Sequence, residues 1–261
     1  MCFAIGEKMR KVIYTSIVGG YDSLPQPIAI DGSFEYVCFS DDIGSGRGGV
    51  WQVRPIPYSN TDKTRLSRYV KLQPHRVLEE YDVSVWIDAN IQIIGREFYD
   101  IVNERIASGC LIAQVPHPQR DCVYEEISKC YRDVRIGLSD ALSQRRHLLK
   151  EGFPRHFGMM ENNLILRRHN DPLVKKISDA WWKEYLEYSI RDQLSLMSVY
   201  WKMGFRPELL LGEGKNARNV PYLALVRHSG VRSVADLKGI RRWPSKMRWT
   251  FREIVAGILL K

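Results

Sequence analysis

The stretch that most constrains the fold is residues 83–90 (VSVWIDAN), where an apolar run ends in two oxygen-bearing side chains. A short apolar run of this kind predicts a buried strand of an α/β sheet. Side chains two residues apart in an extended segment point the same way, so Asp88 and Asn90 are expected to face one site. Open α/β sheets bind ligands at the carboxyl ends of their strands. A carboxylate and an amide oxygen suit a hard cation shared with substrate phosphates; a simple strand and turn is the alternative.

Strands and helices alternate along most of the chain. This order predicts a single α/β domain with a mostly parallel central sheet flanked by helices, over residues 1–230, followed by a tail over residues 231–261. A glycine-rich loop is expected at residues 44–49. The predicted strands are 11–18, 36–39, 51–54, 83–87, 91–94, 110–115, 162–166, 209–211 and 222–226. The first predicted helix runs from Asn60 or Thr61 to about residue 81, with a break near Pro74. Further helices are predicted at 121–133, 139–150, 171–187 and 190–203.

Composition narrows the class of protein. With 44% hydrophobic and 26% charged residues, the chain resembles ordinary folded proteins, and no apolar stretch is long enough for a transmembrane helix. We find no secretory signal. The cysteine count is odd, and Cys122 and Cys130 lie eight residues apart on a predicted helix, about 12 Å along its axis and too far for a disulfide. Reduced thiols and a cytoplasmic location are therefore expected.

The net charge of +9 is concentrated in the tail, where residues 238–261 carry seven Lys and Arg against one Glu. Trp243, Trp249 and Phe251 are interleaved with these charges. Such a basic amphipathic segment is typical of an element that lies on a membrane surface, which would make the protein peripheral at the inner face of the membrane. A helix docked on the core and a nucleic-acid arm are the alternatives, but no nucleic-acid-binding motif occurs elsewhere, so no nucleic acid is expected as a partner.

Seven blocks of sequence occur in a characteristic order. Together they resemble the glycosyltransferase-like family, long known as a domain of unknown function, of plant Golgi mucilage-related proteins and bacterial surface-polysaccharide loci. The resemblance covers most of residues 11–230 and implies a GT-A (Rossmann-like) fold. Nucleotide-sugar glycosyltransferases of the GT-A fold carry an Asp-x-Asp element, and in this sequence Asn90 takes the place of its second acid. The blocks are 14–22 (YTSIVGGYD), 38–42 (CFSDD), 68–75 (RYVKLQPH), 86–90 (WIDAN), 117–126 (HPQRDCVYEE), 161–170 (ENNLILRRHN) and 191–195 (RDQLS).

A GT-A enzyme must hold a nucleotide diphosphate, and the resemblance suggests which residues do so. Arg68 and Lys71 are predicted to share a helix face with His75 and to bind phosphates; a solvated basic face is the alternative. The predicted metal ligands for Mn²⁺ or Mg²⁺ are Asp88, Asn90 and His228, the last from a looser similarity to retaining GT-A transferases. The predicted nucleotide- or donor-binding residues are Thr15, Ser16, Gly19, Asp41, Arg68, Lys71 and Asp88.

Catalysis is assigned by the same resemblance to Asp192, Glu161 and Gln193. Asp192 would be the base of an inverting reaction or lie beside the anomeric carbon, with Gln193, in a retaining one. A capping carboxylate at a helix start is the alternative. Glu161 would bind or deprotonate the acceptor. The residues expected to shape the sugar or acceptor pocket are His117, Arg120, Asp121 and Asn163.

The sequence thus predicts a metal-dependent glycosyltransferase. It would move a sugar from a nucleotide-sugar donor, UDP-linked by preference, to a lipid-linked or surface-polysaccharide acceptor of the lipopolysaccharide, capsule or O-antigen kind. Two other functions stay open at this point. One is a metal-dependent hydrolase of a membrane lipid or sugar, and the other is a sugar-nucleotide binding module that has lost catalysis through the Asn at position 90.

Overall fold

The computed structural model describes residues 9–20, 23–188, 191–226 and 245–260. The strands are β1 Lys11–Ile17, β2 Phe34–Ser40, β3 Gly46–Gly48, β4 Trp51–Pro55, β5 Val83–Ile87, β6 Ile91–Ile93, β7 Ile112–Pro116, β8 Met160–Arg167, β9 Glu208–Leu209 and β10 Leu223–Leu225. The α-helices are α1 Lys63–Leu72, α2 Pro74–Val77, α3 Glu97–Ala107, α4 Val123–Arg132, α5 Leu138–Lys150, α6 Pro172–Tyr188, α7 Leu196–Lys202 and α8 Ser245–Leu259. None of these helices is long and apolar enough to cross a membrane.

The centre of the fold is an eight-stranded sheet in the order β3-β4-β2-β1-β5-β8-β7-β9. The strands β4, β2, β1 and β5 run parallel to their neighbours in this group, whereas β8 runs antiparallel to both β5 and β7. A two-stranded sheet of β10 and β6 stands beside it. The predicted α/β fold with a mostly parallel central sheet flanked by helices is therefore confirmed.

A separate apolar core covers each face of the sheet. Val12 and Tyr14 of β1 belong to one core, with Trp181 of α6, while Ile13 belongs to the other, with Phe98 of α3. The two sets alternate along β1 because successive side chains of a strand point to opposite faces. Burial on both faces explains why β1 and β5 are apolar almost throughout.

The structure differs from the sequence predictions at several local points. The predicted glycine loop contains β3, which pairs antiparallel with β4. Helix α3 was not predicted, although its buried Phe98, Val102 and Ile106 recur at helical spacing.

The boundaries of two predicted helices also differ. The first helix begins after Asp62, not at Asn60 or Thr61, because the Asp62 carboxylate accepts hydrogen bonds from the free amides of the first turn. The predicted helix 190–203 divides into a 3₁₀ turn at Asp192–Leu194 and α7.

Helix α8 packs on α4. Arg252 donates from Nε to the Tyr131 carbonyl at 2.8 Å, and the Ser128 hydroxyl donates to the Leu260 carbonyl at 2.8 Å. Arg132 and Glu253 form an ion pair at 3.2 Å. The described part of the tail is thus a docked helix, which was one of the three interpretations of its sequence. The rest of the tail, residues 231–244 and Lys261, lies outside the described residues.

Candidate active site

A cleft of about 370 Å³ opens at the carboxyl ends of β1 and β5 and beside the start of α1. The register pairs Tyr14 with Trp86, so Ser16 and Asp88 follow at the same edge of the sheet. Ser16 lines the cleft, whereas Thr15, the residue before it, points to the opposite face of β1. Helix α1 contributes polar and basic side chains to the opposite wall, namely Lys63, Thr64, Ser67 and Arg68.

Asp88 and Asn90 line this cleft together, as their spacing predicted. The Asp88 Oδ1 atom accepts hydrogen bonds from Trp86 Nε1 at 2.7 Å and Lys71 Nζ at 3.2 Å. Within the described residues, no hydrogen bond reaches Asp88 Oδ2, and 36% of this side chain is exposed. One carboxylate oxygen is therefore oriented by its neighbours, and the other is available to a ligand.

Lys71, Arg68 and Asp192 form a buried charge network next to Asp88. The Asp192 carboxylate lies 2.9 Å from Lys71 Nζ and 3.1 Å from Arg68 Nε, and only 5% of its side chain is exposed. Burial alone would raise the pKa of Asp192, but the charges of Arg68 and Lys71 outweigh it and hold the pKa well below its usual range. Asp192 is therefore an ionised carboxylate and a weak base. His75, predicted to share this face, instead lies 3.3 Å from Asp179.

Asp41 and Gly19 meet next to Lys63 of the cleft wall. The Gly19 amide donates to Asp41 Oδ1 at 2.9 Å, and Lys63 forms an ion pair with Asp41 Oδ2. Burial opposes ionisation of Asp41, but these two partners prevail and lower its pKa. Gly19 has a φ of +68°, a conformation that favours glycine. This turn sets the predicted nucleoside-binding residues beside the basic wall of α1.

Glu161 is the centre of a second polar group on β8. Arg218 Nη1 donates to both Glu161 oxygens at 2.8 and 2.7 Å, and Asn163 Nδ2 donates to Oε2 at 3.3 Å. The Asn163 carbonyl accepts the Asp88 amide at 2.9 Å. Strand pairing of β5 with β8 therefore brings the predicted acceptor residues Glu161 and Asn163 next to the predicted metal pair.

The other predicted pocket residues lie in the loop after β7. His117 Nδ1 accepts the Arg120 backbone amide at 3.0 Å, while the Arg120 guanidinium pairs with Glu126. Burial lowers the pKa of His117 and outweighs the opposing charge of Glu126, which favours the neutral imidazole. The Asp121 carboxylate hydrogen-bonds with His156 Nδ1 at 2.8 Å. The Arg120 guanidinium and His117 thus share Glu126 as a partner, because His117 Nε2 lies 3.9 Å from the same carboxylate.

Gln193 and His228 complete the predicted set. Gln193 is half-buried in the 3₁₀ turn beside Asp192. His228 lies outside the described residues. The chain leaves them at Val226, whose amide donates to the Asn90 carbonyl at 2.8 Å.

Three residues of this region carry no prediction from the sequence. Trp86 orients Asp88, and its position two residues earlier in the same strand is the signal that could have found it. Lys63 starts α1 and pairs with Asp41. Arg218, the partner of Glu161, lies in an irregular segment without a periodic pattern, so no local signal marks it.

Two solved structures are similar to this chain at low sequence identity. One is the apo structure of the WbbM bifunctional glycosyltransferase, with 12% identity and a TM-score of 0.42; the match covers 76% of this chain and 38% of that one. The other is mouse xyloside xylosyltransferase 1, with 9% identity and a TM-score of 0.40; the match covers 76% of this chain and 81% of that one.

No curated protein matches the sequence. The family described as TOD1/MUCI70, glycosyltransferase-like domain, matches residues 5–218, a range that includes every described residue of the cleft. The chain belongs to the TOD1/MUCI70 glycosyltransferase-like domain family.

Proposed function

We propose that this protein is a metal-dependent glycosyltransferase that uses a nucleotide-sugar donor, UDP-linked by preference. The observation that carries the proposal is the position of Asp88. It stands at the carboxyl end of a parallel strand, in a cleft whose walls bear Lys63 and Arg68, and its carboxylate bonds to Lys71. Ligands of open α/β sheets bind at this edge, and a diphosphate is the ligand whose charge matches such walls.

The basic side chains fit the leaving diphosphate. Lys71 is held between two carboxylates, those of Asp88 and Asp192, so its ammonium is fixed before the substrate arrives. Arg68 is fixed by Asp192 from the other side, while 26% of its side chain stays exposed. Charges that are already oriented need no rearrangement when negative charge develops on the leaving group, and this lowers the barrier.

Asp88 and Asn90 suit Mn²⁺ or Mg²⁺, which takes few protein ligands and fills its remaining positions with water and substrate phosphates. Asp88 Oδ2 and the Asn90 amide oxygen would hold the ion, which would supply Lewis-acid stabilisation of the departing diphosphate. We keep His228 as the proposed third ligand. Support for it comes from Val226, two residues earlier, whose backbone bonds to Asn90.

Asp192 and Glu161 would divide the catalytic work. The low pKa of Asp192 favours its second predicted role, an ionised group beside the anomeric carbon, over that of a base. Glu161 is oriented by Arg218 and Asn163 and would bind or deprotonate the acceptor hydroxyl. Gln193, next to Asp192, would contact the sugar, while His117 and Arg120 would shape the acceptor side.

The proposed acceptor is lipid-linked or part of a surface polysaccharide, reached at the membrane surface. Helix α8 supports this because its docked face leaves apolar side chains on the outside. Ile254 is 55% exposed, Ile258 73% and Leu259 44%. Residues four apart share a helix face, so Ile254 and Ile258 form a ridge that can enter the headgroup region of an anionic membrane.

The test is a thermal-shift panel of UDP, GDP, CMP, TDP and ADP, each with and without Mn²⁺. A ligand that binds only the folded state raises the melting temperature. We expect UDP with Mn²⁺ to give the largest shift, Asp88→Ala to abolish it, and the control Asp179→Ala, at an ion pair of α6, to keep it. Wild type should also transfer sugar from a UDP-sugar.

Two outcomes would overturn the proposal. If no nucleotide changes the melting temperature, the hydrolase alternative is favoured. That alternative is assayed by turnover of lipid amides or esters. A shift without transfer from any donor would favour the binding module that has lost catalysis.

A further inference from the structure

A second group of metal-ligating side chains lies at the start of α4, away from the cleft. Cys122 precedes the helix, Glu125 stands in its first turn, and His156 comes from the loop before β8. One ligand atom from each, sulfur, carboxylate oxygen and ring nitrogen, lies within 4.8 Å of the others. Cys122 is buried, while Glu125 and His156 are exposed. The thiol therefore lies at the buried side of the group, and the carboxylate and imidazole lie at its solvent-exposed side.

The imidazole of His156 is oriented by a carboxylate. Asp121 Oδ1 lies 2.8 Å from His156 Nδ1, which leaves Nε2 to face Glu125 Oε1 at 4.0 Å. Metal-binding histidines are commonly held in this way, with one ring nitrogen on a carboxylate and the other on the metal. The loop is fixed to the same residue a second time, because the Gly158 amide donates to the Asp121 carbonyl at 2.9 Å.

The backbone at His156 adds an independent observation. Its φ is 54°, a left-handed conformation that non-glycine residues adopt uncommonly. Such conformations persist where surrounding contacts impose them and are concentrated at ligand sites. Here a ring nitrogen of the same residue lies within 4.8 Å of the ligand atoms of Cys122 and Glu125.

We infer that Cys122, Glu125 and His156 form a Zn²⁺ site, with Asp121 as the residue that positions His156. A thiolate and an imidazole select zinc over Mg²⁺ and Mn²⁺, the opposite preference to the oxygen ligands at Asp88. Ligand atoms around tetrahedral zinc lie about 3–4 Å apart, so small rotations of the two exposed side chains complete the site. Binding releases the thiol proton to solvent and leaves the fourth position to water.

The site would connect two segments that border the proposed acceptor side. Residues 153–159 lead into β8, which carries Glu161 and Asn163, and the loop 117–122 leads into α4. A zinc ion across them would hold both segments in place when bound. The expected consequence is a Zn²⁺-dependent rise in melting temperature.

The test uses the reduced full-length chain and Co²⁺ as a spectroscopic probe of the zinc site. We expect one equivalent of Co²⁺ to produce a thiolate-to-metal charge-transfer band that Zn²⁺ removes and Mg²⁺ does not. His156→Asn and Glu125→Gln should weaken binding at least tenfold. Both positions are exposed, and asparagine tolerates the left-handed backbone, so these variants are expected to fold.

Matched controls separate this site from others. Cys130→Ser changes another buried thiol, which lies within α4, and should leave the band unchanged, as should Asp88→Ala in the cleft at the carboxyl ends of β1 and β5. If Cys122→Ser fails to fold, the two exposed variants still decide the question. Absence of the band, an affinity that His156→Asn leaves unchanged, or loss of the band in Cys130→Ser would each overturn the inference.

Discussion

Asp192→Asn tests whether the buried charge network holds the structure together. The change keeps the shape of the side chain but removes the negative charge between Lys71 and Arg68. Removing one partner of a buried ion pair lowers the free energy of unfolding by about 3–5 kcal/mol. In the variant Lys71 still has Asp88 as a partner at 3.2 Å, and Arg68 is 26% exposed and so can be solvated. We therefore expect a loss of unfolding free energy at the lower end of this range, about 3 kcal/mol. For a chain of this size that is about 6–12 °C in melting temperature.

The same network predicts a pH dependence. The folded-state pKa of Asp192 is lowered, so its contribution to stability is complete above the unfolded-state value of about 4 and is lost as the pH falls through the folded-state pKa. The stability difference between wild type and Asp192→Asn should therefore be constant from pH 8 to about pH 5 and shrink below about pH 4. Urea unfolding at each pH measures both quantities.

The control is Asp179→Asn, the same chemical change at a half-exposed carboxylate that pairs with His75 and Arg76. Exposed pairs contribute about 1 kcal/mol or less, so this variant should lose no more than that. A loss below 1 kcal/mol for Asp192→Asn at pH 7, or a loss that persists unchanged at pH 3, would refute the reasoning.

Three further predictions address the proposed activity. Trp86→Phe removes the 2.7 Å donor to Asp88 and should weaken Mn²⁺ binding about tenfold, measured by Mn²⁺ titration with UDP present; unchanged affinity would contradict it. Glu161→Gln should lower sugar transfer about 100-fold or more while the nucleotide-induced thermal shift stays at the wild-type value. Ile258→Glu should abolish flotation with anionic vesicles, whereas Ile28→Glu, at a residue 70% exposed against 73% for Ile258, should not; equal flotation of both variants would exclude α8 as the contact.

Local features of the fold could be predicted because their causes are local. The strand before Asp88 follows from its apolar run, and Asp88 and Asn90 share a cleft because they are two residues apart at its end. Pro74 divides the first helix pair as expected, since proline suits a first helical position but not an interior. Asp171 caps α6 by accepting the Leu173 amide at 2.8 Å. Helix α3 was missed although its spacing was visible.

The long-range contacts of the site had no such signal. A solvated basic face was one interpretation of Lys71, yet it is only 2% exposed, because its ammonium lies among Asp88, Asp192 and the Trp86 ring. Arg68 and Asp192 are 124 positions apart in sequence, and Arg218 reaches Glu161 from an irregular segment. No periodicity relates such positions.

The sequence by itself determined the α/β order of elements, the family and the chemical types present at the edge of the sheet, because these depend on spacing along the chain. Only the tertiary structure decided which charges are paired. A carboxylate's chemistry depends on how deeply it is buried and on the cations within about 4 Å, and those distances exist only after the strands and helices have packed. Asp192, ionised between Lys71 and Arg68, differs in this way from the half-exposed Asp88 beside it.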